Sequence, residues 1–324
     1  MAAILAKRSR APARIEATAF APSNIALVKY WGKRDEQLNL PVTSSLSISL
    51  GKLGSWVTLR AGEGEDWVSL NGRVLAPDSE FAVRVRKFLD LFRPAPGFVF
   101  DVAAVNTIPT AAGFASSASG FAALVRALDG LFGWGLEARA MSILARLGSG
   151  SAARSLFDGL VEWHAGVAAD GMDSFAEPLP VAWPELRIGL VVITTAEKGL
   201  SSRAAMQRTV ANSPLYRAWP ATVAHDFGEI KAALVEHDFT RTGAVAERNA
   251  LAMHATMLAA SPPVLYWLPE SVRIMQKIWK VREQGLPVYF TMDAGPNVKV
   301  LYTAEHESDV LDVFDDVDFV RPKD

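Results

Sequence analysis

The chain has 324 residues, half of them hydrophobic and 21% charged, no cysteine, and a formal net charge of −2 at pH 7. These figures exclude disulfides, thiolate metal sites and a cysteine nucleophile, and they leave no global attraction to nucleic acid or to an anionic membrane. An anionic ligand must therefore be held by a local group of basic residues, and no window of the chain approaches the roughly 18 consecutive apolar residues of a membrane span.

The opening "MAAILAKRSRAPARIEA" is basic, with only a short apolar piece ahead of its charges. That order is wrong for a secretory signal, so a flexible lead and a cytoplasmic protein are expected. Strand-like runs follow in "ARIEATAF", "SSLSISL" and "SWVTLRAG", and "WVSLNGRVL" is interrupted by Asn71-Gly72, a strong hairpin signal. A helix is expected over "DSEFAVRVRKFLDLF", started by Asp and Ser and stopped by Pro94 and Pro96. Next come a strand, "GFVFDVAAVN", a Gly/Ser-rich turn, and helices over "SGFAALVRALDGLFG" and "LEARAMSILARLG".

After the proline-containing segment 178–184, strand-like "LRIGLVVITT" opens a second region. Helical stretches cover 213–236, 243–259 and about 270–284, and an apolar strand follows them. There is no tandem repeat. Antiparallel strands mixed with helices predict an α+β protein of two units, residues 1–184 and 185–324.

Three turns carry chemistry. "PTAAGFASSASGFAALV" sets Gly113, Ser116, Ser117 and Ser119 before a helix, where free N–H groups and the helix dipole favour an anion; a plain tight turn is the alternative. It is not a Walker motif, since no Gly-Lys-Ser/Thr occurs there. "ARLGSGSAARSLFDG" repeats the logic, with Ser149 and Ser151 ahead of Arg154, whose guanidinium could fork onto a carboxylate or phosphate. In "APSNIALVKYWGKRDEQ", Lys29 sits in an apolar strand, which is costly unless it is paired or reaches solvent at the strand end.

The run "YFTMDAGPNVKVLY" places Asp293 in the middle of what reads as a buried strand, where an uncompensated carboxylate would cost several kcal/mol. Lys29 is the natural partner. Burial would raise the Asp293 pKa and Lys29 would lower it. The five histidines, at 164, 225, 237, 254 and 306, show no metal-ligand spacing, so a catalytic metal would be of the hard, oxygen-bound kind. His254 and His164 are expected at core or boundary positions.

Seven segments, in order, carry a family resemblance: "SNIALVKYWGKR", "LPVTSSLSISL", "NTIPTAAGFASSASGFAAL", "GSGSAARSL", "SSRAAMQRT", "AERNALAMHATMLAASPPVLYW" and "TMDAGPNVKVL". From about residue 14 to 303 the chain resembles the diphosphomevalonate decarboxylases of the GHMP kinase superfamily. The resemblance implies a GHMP kinase fold, with a ribosomal-S5-like first unit and a ferredoxin-like second one. It implies ATP-dependent phosphorylation of the 3-hydroxyl of mevalonate 5-diphosphate, then loss of that phosphate with the carboxylate to give isopentenyl diphosphate.

On the same resemblance, the catalytic set would be Asp293, Lys29, Arg154 and Ser117. Tyr30, Ser149, Ser151 and Arg203 would hold substrate, with Arg154 on its carboxylate. Asn106, Pro109, Gly113, Ser116 and Ser119 would bind ATP, with Mg²⁺ on the phosphates and its protein ligands unassigned. The expected partners are small molecules and a second copy in a homodimer. Thr43 departs from the Asn usual in the family, near the expected substrate pocket. The alternatives are decarboxylation of mevalonate 5-phosphate, a kinase that stops at the 3-phosphate, and a non-catalytic metabolite-binding protein.

Overall fold

The structure is a computed structural model that describes residues 2–108, 116–196 and 199–321. A short helix, α1 (Ala2–Leu5), precedes strands β1 (Glu16–Val28), β2 (Lys33–Asp35), β3 (Leu40–Pro41), β4 (Ser45–Gly62), β5 (Trp67–Leu70) and β6 (Arg73–Val74). Helix α2 (Glu80–Leu89), strand β7 (Val99–Asn106), helices α3 (Ser116–Phe132) and α4 (Ala138–Gly148), and strands β8 (Leu160–Trp163) and β9 (Ala176–Pro178) complete the first half.

The second half opens with β10 (Leu186–Val191). Helices α5 (Ser202–Asn212), α6 (Trp219–Val235), α7 (Phe239–Leu258) and α8 (Pro269–Glu283) follow, then β11 (Tyr289–Met292), β12 (Val298–Thr303), α9 (Glu307–Val313) and β13 (Phe319–Val320).

The two runs expected as separate strands at 44–50 and 55–62 form one 18-residue strand, β4, because β1 pairs along almost its whole length, from Glu16 opposite Arg60 to Val28 opposite Leu46. The register shifts between Pro22 and Asn24, where proline cannot donate to the ladder. A Cβ at Gly54 would run into the backbone of Ala21 and Pro22 there, so the close crossing requires glycine. The hairpin falls where Asn71-Gly72 predicts it: both residues have positive φ, 51° and 78°, and β5 pairs with β6 across them.

β4 is the spine of a seven-stranded sheet that is antiparallel except where β5 runs parallel to β7. The smaller sheet has the order β11-β12-β10-β13 and is antiparallel throughout. Helices α3 and α4 cover the large sheet through Phe121, Leu124, Leu128 and Leu144. A second apolar cluster joins the halves, with Ile25, Leu27 and Leu46 from the large sheet, Ile188 and Leu301 from the small one, and Val245 and Met253 from α7. This shared core brings the end of β1 against the turn after β11.

Helix α7 begins at Phe239, four residues ahead of the expected start, because the Asp238 side chain accepts the Arg241 N–H at 3.0 Å and caps it. Helix α5 was not marked by periodicity; its hydrophobic pattern is weak, and it starts at the Ser201 cap, whose hydroxyl accepts the Ala204 N–H at 3.3 Å.

Candidate active site

Asp293 lies one residue beyond β11, in a turn closed by a 2.7 Å hydrogen bond from the Gly295 N–H to its carbonyl. Its carboxylate is gripped from both oxygens. The Lys29 ammonium is 2.9 Å from Oδ1, and the Lys299 ammonium is 3.4 Å from Oδ2. Both lysines are 1% exposed, so the pairing of Lys29 holds and a solvent-seeking lysine is ruled out.

Burial pushes the Asp293 carboxyl up, but the two ammonium groups more than offset it and hold it well below the usual carboxylate range. Burial in turn drives Lys29 down to about 8, against the pull of Asp293, with Lys299 and Arg154 adding to the fall. The site therefore contains a firmly ionised carboxylate and an ammonium that gives up its proton far more readily than an ordinary lysine.

Helix α7 clamps this pair from behind. Asn249 accepts the Lys29 backbone N–H through Oδ1 at 2.8 Å, and its Nδ2 donates at 2.8 Å to Asp226, which Arg248 also holds at 2.5 and 3.0 Å. Five residues further along, His254 Nε2 meets the Asp293 carbonyl at 3.1 Å. A carbonyl only accepts, so the ring carries its proton on Nε2. Burial pushes His254 down to about 3, so it is neutral. It is the core residue expected, with a positioning contact as well.

Arg154 follows a 3₁₀ turn, Gly150–Ala153, at the end of α4. It is 3% exposed; Nε donates to Asn24 Oδ1 at 3.1 Å and Nη1 to the Ser45 hydroxyl. Asn24 is itself fixed by the Ser155 hydroxyl at 2.7 Å. Burial lowers Arg154 to about 10, opposed by Asp293 and Tyr30, yet no carboxylate is paired with it among the described residues. Arg146 gives the contrast: equally buried, its N–H groups go to the carbonyls of Leu38 and Gly171 at 3.0 and 2.8 Å, a purely structural use. A buried guanidinium anchored along one edge is built to receive an anion on the other.

Around Arg154 stand Tyr30, whose ring meets Trp163 edge-on at 4.8 Å, and the Ser149 and Ser151 hydroxyls, 3.4 Å apart. The Tyr30 hydroxyl is buried without a partner among the described residues, and burial raises its pKa beyond the usual phenol range. The turn between β1 and β2 is fixed by the Trp31 carbonyl, which accepts from Trp219 Nε1 at 2.8 Å and from Tyr216 at 3.2 Å. Gly32 adopts φ 119° beneath the Tyr216 ring, so only glycine fits.

Arg203 is exposed near the start of α5 and joins Lys33 and Arg84 in a basic cluster. Burial lowers Lys33 and Arg84, and repulsion from Arg203 lowers both further, with Glu36 countering at Lys33. Arg84 was not singled out from sequence because its helix reads as an ordinary amphipathic one.

The expected nucleotide loop is only partly described. Pro109 and Gly113 lie outside the described residues, and of Ser116 only its place at the start of α3 is described. Ser117 is half-buried in the first turn of α3. Ser119 faces inward, fully buried, and bonds the hydroxyls of Ser23 at 3.0 Å and Ser55 at 2.7 Å. Ser55 in turn donates to Asn106 Oδ1 at 2.7 Å. Ser119 thus belongs to a buried polar seam beneath the start of α3.

His164, half-exposed between Glu162 at 3.1 Å and Glu177 at 2.8 Å, is a boundary residue. Among the described residues one group has metal-ligating spacing, His225, Asp226 and Glu229 on α6, but the Arg248 guanidinium already bonds both of its carboxylates.

Comparisons with known proteins identify the family of the chain. Residues 21–176 match the family model described as the diphosphomevalonate decarboxylase-like N-terminal domain, and residues 188–322 the mevalonate 5-diphosphate decarboxylase C-terminal domain. The diphosphomevalonate decarboxylase of Eremothecium gossypii is 38% identical over 316 residues, 90% of this chain and 79% of that protein, and that of Rattus norvegicus is 37% identical over 320 residues, covering 92% and 79%. The mevalonate diphosphate decarboxylase structure from Staphylococcus aureus superposes with a TM-score of 0.87 at 36% identity, over 94% of this chain and 96% of that one. A structure from Enterococcus faecalis gives 0.86 at 39% over the same shares. These likenesses bear out the α+β fold of the GHMP kinase type, and the chain belongs to the diphosphomevalonate decarboxylase family.

Proposed function

We propose that this protein uses ATP to convert mevalonate 5-diphosphate to isopentenyl diphosphate, phosphorylating the 3-hydroxyl and then releasing phosphate and carbon dioxide. The observation that carries this reading is the meeting of an ionised carboxylate, Asp293, with a buried guanidinium, Arg154, that has no carboxylate of its own among the described residues. A similar structure, 39% identical with a TM-score of 0.87, is described as MDDEF in complex with MVAPP, AMPPCP and magnesium, which supports the same ligands here.

Tyr30, Ser149 and Ser151, with the basic cluster of Lys33, Arg84 and Arg203, suit the diphosphate and the phosphates of ATP: the Tyr30 hydroxyl lacks a partner among the described residues, and polyphosphate would relieve the mutual repulsion of the cations. The start of α3, with Ser116 and Ser117, and the Pro109–Gly113 loop ending from Asn106 would receive the nucleotide. The described residues form no separate cage for Mg²⁺, since both oxygens of Asp293 are taken by lysines and the Asp226 group by Arg248. Mg²⁺, held mainly by the phosphates of its ligands, would supply charge neutralisation there.

In the transfer, the bond from the 3-oxygen to the γ-phosphorus forms as the bond to the β-bridging oxygen breaks. An Asp293 held by two ammonium groups is a weak base, so it orients the hydroxyl and takes the proton late, which suits a loose phosphoryl-transfer transition state. Arg154 then holds the C1 carboxylate in a desolvated place. As the C1–C2 bond breaks, its electron pair forms the C2=C3 double bond and phosphate leaves C3.

The same reading assigns residues 1–184 and 185–324 as two units, the first supplying Lys29, Arg154 and the nucleotide loop, the second Asp293. A cytoplasmic location and a homodimeric state belong to the proposal on the family resemblance alone. The test is a mass-resolved assay with ATP, Mg²⁺ and either mevalonate 5-diphosphate or mevalonate 5-phosphate. Isopentenyl diphosphate and ADP in equal amounts from the first substrate are expected. Turnover of the monophosphate alone, or ADP without loss of carbon dioxide, would overturn the assignment.

A further inference from the structure

Lysine in a central strand needs a reason. Lys299 is the second residue of β12, an inner strand of its sheet, opposite Thr291 of β11 on one side and Leu190 of β10 on the other, both buried. Its ammonium is 1% exposed and reaches the Asn297 carbonyl at 3.1 Å and Asp293 Oδ2 at 3.4 Å. Removing an ammonium from water costs several kcal/mol unless charge and hydrogen bonds compensate, and an apolar side chain would fill this register position at no such cost.

Lys299 and Asp293 belong to one hairpin, β11, its turn and β12, so their spacing is set within a single sheet. Lys29 reaches Asp293 from the end of β1, in the other sheet. The two lysines are therefore not equivalent. Lys29 stands next to Tyr30 in the chain, bonds the Ala26 carbonyl at 2.6 Å and lies near enough to Arg154 to feel its charge, whereas Lys299 approaches the opposite carboxylate oxygen.

We propose that Lys299 is a positioning residue for the reaction: it is the permanent counter-ion of Asp293, keeping the carboxylate ionised and oriented when substrate draws on Lys29. Its catalytic consequence rests on the function proposed above; its effect on Asp293 does not. The charged and titratable groups around Asp293 are Lys29 from β1, Lys299 from β12, Arg154 from the 3₁₀ turn after α4, and His254 from α7. If Lys29 alone compensated burial, engaging it with phosphate would leave a desolvated carboxylate that takes up a proton near neutrality and ceases to accept one from the hydroxyl. With Lys299 in place it stays ionised until it takes the proton of the hydroxyl.

The experiment is a pH titration of the ligand-free full chain carrying aspartate labelled with ¹³C at the side-chain carboxyl, with the Asp293 signal identified by its loss in Asp293→Asn. In the unaltered protein that signal should not titrate between about pH 4 and 7. In Lys299→Met the midpoint should rise by at least about one unit, while Lys299→Arg should restore it. An ordinary midpoint in the unaltered protein, or an unmoved one in folded Lys299→Met, overturns the proposal.

Should Lys299→Met not fold, Lys29→Met decides the matter. Asp293 should still titrate below the ordinary range with Lys299 as its remaining counter-ion, and an ordinary or raised midpoint overturns the idea. Kinetics add the second readout. Lys299→Met should lose about 10- to 100-fold in kcat with KM for mevalonate 5-diphosphate little changed, and its kcat should acquire an acid limb that Lys299→Arg removes. An unaltered protein that does not turn over this substrate would refute the function proposed above, and the titration would still decide the role of Lys299.

Discussion

Asn249 Oδ1 accepts the backbone N–H of Lys29 at 2.8 Å, tying the middle of α7 to the end of β1 across 220 residues of chain. The amide is aimed by Asp226, which is fully buried and held by Arg248. Asn249→Ala leaves both the Lys29 N–H and Asp226 short of a partner. A loss of about 1–3 kcal/mol in stability is expected, read by urea denaturation, with kcat falling at the same time because the Lys29 ammonium drifts from Asp293. Unchanged turnover in the folded variant would mean that β1 alone fixes Lys29.

Asp293→Asn keeps the shape of the side chain and removes its charge. Turnover should fall by about 10²–10⁴-fold while ATP still binds. Two buried ammonium groups also lose their counter-ion, so the variant should unfold at clearly lower denaturant than the unaltered protein. Near-normal turnover would remove Asp293 from the mechanism.

Arg154→Lys preserves charge but cannot reach Asn24 and Ser45 while presenting a planar fork to the substrate. The expected signature is partial uncoupling: in an assay following both products, carbon dioxide falls below one per ADP. A ratio that stays at one, with only a raised KM, would assign Arg154 to binding alone.

The Lys29 ammonium, at about 8, loses its proton within the assayable range. In the ligand-free enzyme kcat/KM should therefore decline above about pH 8, by up to tenfold per unit. Asp293 stays ionised well below neutrality and adds no acid limb between about pH 5 and 7. The sign for stability is opposite to that for activity. The unfolded chain holds the Lys29 proton up to 10.5, so between about 8 and 10.5 this group makes folding more favourable as pH rises. An alkaline limb of kcat/KM that persists unchanged in Lys29→Met would assign it to another group.

His254 works at the other end of the scale. It is held neutral in the fold down to about 3, while the unfolded chain takes up a proton below 6.5. Stability should thus drop as pH falls below 6.5, by up to about 1.4 kcal/mol per unit. Urea titrations at pH 5 and 7 compare the unaltered protein with His254→Gln, which can still donate to the Asp293 carbonyl; the pH difference should shrink in the variant. An equal difference in both proteins would exclude His254 as its source.

The sequence made much of this visible. The Asn71-Gly72 hairpin, helices α6, α7 and α8, and the partnership of Lys29 with Asp293 follow from local signals: positive-φ turn residues, helical periodicity, and charges stranded in apolar runs. Lys299 escaped notice although it stands in the same motif, because a lysine two residues after a turn reads as solvent-facing and only the sheet register turns it inward. The competition between burial and charge at Asp293 was equally beyond sequence, since it depends on how many cations converge from separate elements. A serine-rich turn before a helix signals an anion site, but the signal does not say that Ser119 turns inward onto Ser23 and Ser55.

The shared core between the two sheets has an evolutionary side. Lys29 rides on the large sheet and Asp293 on the small one, so the reacting geometry is inherited through the seam and through neither half alone. Hybrid chains joined near residue 184 from two relatives would bring together seam residues that had diverged apart. Each half could fold faithfully while the carboxylate and the ammonium met out of register. Substitutions at Ile25, Leu27, Ile188, Val245 or Leu301 should accordingly survive as matched sets in lineages of this family, even though none of these side chains is charged.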